Sequence, residues 1–151
     1  MNAPNKPILI IPDDVVSAVT RVFGNNTTIL PFIHDLVHAQ VETWNAIRGA
    51  LDNLENGYLQ TTHVRPKDFL DDKISPKGGC TIVFAIPPRR ANMITIAVSW
   101  CHEKDTFDPK LGRMLAALNY THNRCIQMRL PHKGNYSRQL KFIFQNTVPM
   151  K

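Results

Sequence analysis

Apolar residues in the first third of the chain recur with the period of an α-helix. The first series begins after Asp13, a residue suited to capping a helix, and ends at Gly24, where a C-terminal glycine is expected. The second series lies within residues 31–56, and its members are separated by three or four positions. These members are Val37, Gln40, Trp44, Ile47, Leu51 and Leu54. The pattern predicts two N-terminal helices, the second of which is long and carries an apolar seam.

The apolar seam has two interpretations. Either it packs against a sheet of its own chain, or it pairs with another helix as in a coiled coil. The seam is short for a free coiled coil, which favours packing within the chain. The second interpretation predicts a homodimer formed through Val37, Trp44, Ile47, Leu51 and Leu54.

From residue 80 onward the apolar period changes to two, which is typical of β-strands. The predicted strands are residues 80–86, 93–101, 125–130 and 140–145. A helix lies between the second and third of them, and Asp108 followed by Pro109 marks its start. The fold class is therefore predicted as α+β, with two N-terminal helices followed by a β-β-α-β-β antiparallel sheet unit.

A polar segment with lysines, aspartates and prolines separates the two halves. We therefore expect an N-terminal helical region at residues 1–60, a linker at residues 61–79 and a basic β-β-α-β-β domain at residues 80–151. The basic domain is expected to pack as one compact unit with the helices.

Charge is distributed unevenly along the chain. Residues 1–78 carry seven Lys or Arg against nine Asp or Glu, and residues 79–151 carry eleven against three, so the halves have net charges of −2 and +8. An evenly basic surface would indicate little beyond solubility, whereas one basic half predicts a face for an acidic partner such as nucleic acid. Three cysteines, no signal peptide and no long apolar run predict a cytoplasmic protein with reduced thiols and no membrane partner.

Residues 99–120 combine the end of a strand, a polar loop and the start of a helix. The first turn of a helix presents amides without intrahelical partners and the positive end of the helix dipole. Lys110 and Arg113 add cations within the first turns, so this segment predicts a site for phosphate or carboxylate. Gly112 is costly inside a helix and indicates a close approach by a strand or a ligand.

A helical wheel divides the same helix into two sides. The stripe expected to lie on the sheet consists of Leu111, Met114, Leu115 and Leu118. Arg113, Ala117 and Tyr120 lie roughly opposite, so we expect the Arg113 guanidinium to be available for a bidentate contact with phosphate. With basic loops added, the candidate ligand-binding residues are Arg89, Arg90, Lys104, Lys110, Arg113, Tyr120, Lys133 and Arg138.

The pattern K-D-x-F-x-x-K-x-G-R joins an apolar strand to this helix and consists of Lys104, Asp105, Phe107, Lys110, Gly112 and Arg113. It resembles a strand-to-helix element of short proteins from phages and mobile elements. Among such proteins are the sponges with which bacteriophages sequester nucleotide immune signals. The resemblance implies a phage-encoded protein that acts in counter-defence inside the bacterial host cell, with Arg113 as a phosphate contact.

Two metal-dependent alternatives use residues of the basic half. A tetrahedral zinc site would use Cys101, His102, His122 and Cys125. A magnesium-dependent nuclease would use Lys104 together with Glu103, Asp105 and Asp108. We expect neither, because the zinc spacing is poor and no nucleophile or phosphate-loop motif is present, so we predict no catalytic residue, metal or cofactor.

The function expected from these features is binding of nucleic acid or a nucleotide by the basic C-terminal half of a small non-enzymatic protein. The alternative from a different class is an interaction protein that binds and inhibits a host protein. The interaction protein would contact its host target through either the apolar seam or the basic face.

Overall fold

The structure is a computed structural model and describes residues 10–24, 28–68, 73–74, 77–88 and 93–145. Its helices are α1 (Asp13–Phe23), α2 (Ile29–His38), α3 (Trp44–Glu55), α4 (Pro109–Thr121) and α5 (Tyr136–Gln145). Its strands are β1 (Leu59–Val64), β2 (Lys67–Asp68), β3 (Lys73–Ile74), β4 (Cys80–Ala85), β5 (Met93–Trp100) and β6 (Ile126–Arg129). The fold class is α+β, as the hydrophobic pattern predicts.

Four strands form a sheet in the order β1-β4-β5-β6, and every neighbouring pair is antiparallel. β2 and β3 form a separate two-stranded ribbon. The register places Thr61 opposite Val83, and Val83 opposite Ala97. The strands predicted at residues 80–86, 93–101 and 125–130 are thereby confirmed as β4, β5 and β6.

Helices cover both faces of this sheet. Val83 and Ala97 point into a core that includes Met114 of α4 and residues of α1, α2 and α3. Ile82 points to the opposite face, because successive strand residues alternate, and there it packs in a second core with Leu140 of α5. The two central strands are therefore buried on both sides, which explains their nearly continuous apolar sequences.

The single long helix predicted within residues 31–56 is wrong, because the chain breaks between α2 and α3. Gln40 has a φ of 60°, in the left-handed region, and this reverses the chain after α2. A new helix then starts at Thr43, whose hydroxyl accepts a hydrogen bond from the Ala46 amide at 3.1 Å. The spacing of apolar residues runs through this break because both helices bury a face in the same core.

The apolar seam lies in the core of its own chain. Ile47, Leu51 and Leu54 are buried, and Val37 and Trp44 are partly buried against the same cluster. Packing within the chain is therefore confirmed. Ile47, Leu51 and Leu54 are therefore not exposed for the homodimer or the host-protein contact that the second interpretation predicts through the seam.

The region predicted as a linker contributes an edge strand to the sheet. β1 pairs with β4 along its whole length, from Leu59 opposite Ala85 to Val64 opposite Cys80. Its central residues are Thr61, Thr62 and His63. Because these residues are polar, the hydrophobic pattern does not predict the strand.

The strand predicted at residues 140–145 is instead part of helix α5. Tyr136, Leu140, Ile143 and Phe144 follow helical spacing and face the second core. Phe142 points away from that core and is 70% exposed. A run of alternating apolar residues this short fits both periods, and packing against the sheet selected the helix.

Candidate functional site

The amides at the start of α4 are already bonded to a carboxylate of the same chain. The Asp108 side chain accepts hydrogen bonds from the amides of Lys110 and Leu111, both at 3.1 Å. A cavity of about 200 Å³ lies beside this turn and is lined by Asp105 and Asp108. Among the described residues that line it there is no lysine or arginine. The cavity at this helix start does not have the lining expected of an anion site, because it is lined by two carboxylates and two of the amides are already bonded to Asp108.

Arg113 is part of the fold. Its Nε donates to Thr61 Oγ1 at 3.2 Å, and its guanidinium donates to the Val22 carbonyl at 3.4 Å. The guanidinium carbon also lies 5.5 Å from the centre of the Phe23 ring, a cation–π distance. Burial lowers the pKa of this guanidinium. Arg113 thus ties α4 to α1 and β1, and the expectation that its guanidinium is available to a ligand is wrong.

Tyr120 also packs against the core of its own chain. Its hydroxyl lies 3.3 Å from that of Tyr58, and the two rings meet edge to face with centroids 6.1 Å apart. Burial raises the pKa of the Tyr120 phenol. Ala117, expected opposite the leucine stripe, is fully buried, as is Ala116, and helix α3 packs against α4. The predicted exposed side of α4 is therefore a helix–helix contact.

The remaining predicted contacts fall at two ends of the sheet. Lys104 and Lys110 are exposed and follow the end of β5 at Trp100. β6 runs antiparallel to β5, with Arg129 opposite Met93, so the chain after β6 continues at the other end of the sheet. Lys133 and Arg138 are exposed there. Arg89 and Arg90 lie outside the described residues.

The strongest concentration of positive charge surrounds β6 and α5. Five exposed cations lie in or next to these two elements, and we call the region that they occupy, which extends over both faces of the sheet, the basic surface: Arg124, Arg129, Lys133, Arg138 and Lys141. The sequence has no aspartate or glutamate after Asp108. Within the part of the chain that the structure describes, none of the five pairs with a carboxylate. This charge is therefore available to an anionic partner.

A groove of about 410 Å³ opens within the basic surface. It lies between α5 and the loop after β6, and its lining residues are Pro131, His132, Arg138, Gln139, Phe142 and Ile143. We call it the α5 groove. Its floor is mainly apolar, while Arg138 and His132 add polar groups at its sides. Such a combination suits a planar ring that is joined to an anionic group.

The side chain of Gln139 holds the two walls of the α5 groove together. It accepts a hydrogen bond from the His132 amide at 3.2 Å and donates to the carbonyls of His132 and Gly134 at 2.9 and 2.7 Å. Three bonds from one side chain fix the loop against α5. The groove is therefore formed before any ligand binds.

Apolar side chains are also exposed on the face of the sheet that carries α5. α5 packs on the β1 side of this face, which leaves the β5 and β6 side more open. Trp100 is 55% exposed with its ring 6.0 Å from that of Phe144, and Ile126 is 53% exposed. Exposed aromatic rings beside unpaired cations are the two elements of a surface that binds single-stranded nucleic acid.

The zinc alternative does not fit the structure. Cys101 donates its thiol hydrogen to the Asp105 carbonyl at 3.4 Å, near the start of α4, whereas His122 caps the other end of that helix. A helix of this length spans about 20 Å, so the four proposed zinc ligands cannot converge. In the described ranges, no three His, Cys, Asp or Glu side chains lie together in a way that would hold a metal ion.

Several residues of this site escaped the sequence-based prediction. They are Trp100, Arg124, Arg129, His132, Lys141 and Phe142. The lack of acidic residues after Asp108 is a feature of the sequence that could have identified the cations as candidates. The pattern assigns Phe142 to a strand, and no signal in the sequence places it on the outer side of a helix, because the short apolar run fits both periods.

No described helix is long and apolar enough to cross a membrane. Comparison of the chain with protein-family models, curated proteins and solved structures finds no match.

Proposed function

We propose that this protein binds single-stranded nucleic acid through the basic surface, with bases stacked in and beside the α5 groove. The observation that carries the proposal is a set of five exposed cations in or next to β6 and α5, unpaired with carboxylates in the described structure. One of them, Arg138, lines a preformed apolar groove. Phosphate contacts supply affinity without sequence preference. Aromatic rings such as Phe142 supply stacking, because every base has a planar face.

The extent of the basic surface favours a polymer over a mononucleotide. β6 itself rises about 10 Å from Ile126 to Arg129, and Arg124 lies beyond its start. Further cations lie across the groove on α5. One nucleotide cannot contact all of these groups, whereas a strand with several phosphates can.

Binding of labelled oligonucleotides, followed by fluorescence anisotropy at several salt concentrations, tests the proposal. A strand that contacts several phosphates gives an affinity that falls with salt, with a logarithmic slope of about −0.7 per contact. We expect a steep slope for oligonucleotides and weak binding of mononucleotides. A shallow slope with tight mononucleotide binding would instead indicate a nucleotide-sequestering protein and would contradict the proposal.

Charge-reversal variants locate the binding surface. Lys133→Glu combined with Arg138→Glu changes the basic surface, while Lys104→Glu combined with Lys110→Glu makes the same charge change at the other end of the sheet. We expect the first pair to weaken oligonucleotide binding about tenfold or more and the matched pair to weaken it about threefold or less. Equal losses would show that net charge, and not this surface, is responsible.

Stacking is tested separately from charge. Phe142→Ala removes the exposed ring at the rim of the groove, and a stacked base contributes about 1–3 kcal/mol to binding. The control Ile86→Ala truncates another exposed apolar side chain that lies outside the groove. If Phe142→Ala binds as the unaltered protein does, or if polyglutamate competes as well as an oligonucleotide, the site recognises negative charge alone.

A further inference from the structure

β6 is an edge strand whose outer side has no partner strand in the described structure. An exposed edge offers unpaired backbone amides and carbonyls to another strand. Edges are commonly protected by charged or proline residues, yet the only charged residue within β6 is Arg129, at its end. Ile126, at the other end, is 53% exposed. β6 is therefore open to pairing.

We propose that β6 pairs antiparallel with β6 of a second copy of this chain, about a two-fold axis at Gln127. The two four-stranded sheets then form one continuous eight-stranded sheet. In this register Ile126 lies opposite Met128 of the second copy, and Gln127 lies opposite Gln127 of the second copy. The interface uses the same strand twice, as two-fold symmetry requires.

The direction of the side chains supports this register. Ile126 pairs with Ile96 and Met128 with Ile94 across β5, so both point to the face that carries α5. A two-fold axis perpendicular to the sheet puts the face that carries α5 on the same side in both copies. Residues that lie opposite each other must then point to the same face, so both have even numbers or both have odd numbers. Ile126 and Met128 then form one apolar row across the junction, and Ile126 loses its exposure to water.

The distribution of charge also permits self-pairing. In the register centred on Gln127, Arg129 lies opposite Cys125 and Arg124 lies opposite Leu130 of the second copy. No cation faces a cation, although like charges directly opposite each other are destabilising. A single pair of four-residue strands is small beside a standard interface of about 1,600 Å², so we expect a dimer that depends on concentration. Salt should strengthen it, because the two basic surfaces repel each other.

The dimer places both α5 helices on one side of the eight-stranded sheet. The two α5 grooves, each with an Arg138 at its side, then lie on the same face, on either side of the junction. This consequence for nucleic-acid binding rests on the proposed function, whereas the dimer itself does not.

A cross-linking experiment tests the register directly. In a background with Cys101→Ser and Cys125→Ser, the variant Gln127→Cys puts one thiol at the two-fold axis. The matched control Gln60→Cys puts a thiol at an exposed glutamine of β1, the opposite edge strand. With diamide as the oxidant we expect Gln127→Cys to form a disulfide-linked dimer at least about tenfold faster than Gln60→Cys. Equal rates would overturn the proposed register.

Light scattering over a wide range of protein concentration tests the dimer without any substitution at the axis. Ile126→Lys places a charge on the edge, which should keep the protein monomeric, while the exposed Ile86→Lys makes the same change elsewhere and should leave the dimer intact. Monomers at every concentration, or a dimer that both variants form equally, would overturn the proposal. Oligonucleotide binding by the unaltered protein, measured in parallel at concentrations where light scattering finds the monomer, shows whether the proposed function fails separately.

Discussion

The imidazole Nε2 of His122 lies 2.6 Å from Oε1 and 2.8 Å from Oε2 of Glu42. Glu42 belongs to the loop between α2 and α3, and His122 caps the C-terminus of α4. The Glu42 side chain is only 7% exposed, so its carboxylate depends on this partner. The contact fastens the N-terminal helices to the central helix.

We therefore expect His122→Ala to lower the free energy of unfolding by about 1–3 kcal/mol, because it leaves a buried carboxylate without its hydrogen-bond donor. Urea denaturation measures this change. His132→Ala is the control, since that exposed imidazole has no comparable contact in the described structure and should cost about 0.5 kcal/mol or less. Equal effects of the two substitutions would show that Glu42 does not rely on His122.

Gly112 has no side chain because Thr81 occupies the space beside it. A β-carbon at Gly112 would overlap Thr81 Oγ1, whereas a β-carbon at Gly49 would meet only Thr121 Cγ2, at 3.6 Å. Both glycines lie in helices. Gly112→Ala should cost about 1–3 kcal/mol by overpacking. Gly49→Ala should be neutral or stabilising by up to about 1 kcal/mol, because alanine favours a helix. Thermal unfolding of both variants checks the difference.

Arg113 should matter for stability and not for the ligand. Arg113→Ala removes hydrogen bonds to Thr61 and Val22 and the contact with Phe23. We expect a loss of about 1–3 kcal/mol in the free energy of unfolding. Lys110→Ala, at an exposed position of the same helix, should change it by about 0.5 kcal/mol or less. An Arg113→Ala protein of unaltered stability that fails to bind oligonucleotides would restore Arg113 as a ligand contact.

The stability of the protein should fall in mild acid because of His63. Burial lowers the pKa of its imidazole below the ordinary value of 6.5, and the nearby cations Arg113, Lys141 and Arg65 lower it further. Above pH 6.5 the side chain is neutral in both states, so stability is unaffected. As the pH falls below 6.5, the unfolded chain binds a proton that the folded protein resists, and stability is lost until the lowered pKa is reached.

Urea midpoints measured across this range of pH check the effect. His63→Gln keeps a partner for Thr81, whose hydroxyl lies 3.0 Å from His63 Nδ1, and removes the titration. We expect this variant to lose less stability in acid than the unaltered protein. Stability that rises as the pH falls, or the same dependence in both proteins, would contradict this assignment.

Local features of the chain were sufficient to predict several elements. The start of α4 follows from Asp108 and Pro109, because a cap and a first-turn proline act on neighbouring residues. β4 and β5 follow from runs of apolar, β-branched residues, which few other structures accommodate. The α+β class follows from the change of period between the halves.

Tertiary structure alone decided which charged and polar groups face solvent. Helical spacing puts Arg113 opposite the leucine stripe. Its guanidinium nevertheless donates hydrogen bonds to Thr61 and Val22, which lie far from Arg113 in the sequence, so local spacing could not predict these contacts. The amides at the start of α4 predict an anion site from the sequence. In the folded protein, the amides of Lys110 and Leu111 are already bonded to the side chain of Asp108, the residue that marks the start of the helix. β1 is polar in sequence and becomes a strand through its pairing with β4.

The basic surface also depends partly on the sequence alone and partly on the tertiary structure. Sequence by itself determined that the C-terminal half is positive, since charge is a property of residues whatever their positions. It could not assign residues 140–145 to a helix, because a short apolar run satisfies both periods and only the sheet beneath α5 separates them. The position of Phe142 beside Arg138 depends on that helix, and on the three hydrogen bonds of Gln139 that hold the loop against it. Contacts between distant parts of a chain, and not local preference, determine which residues form a site.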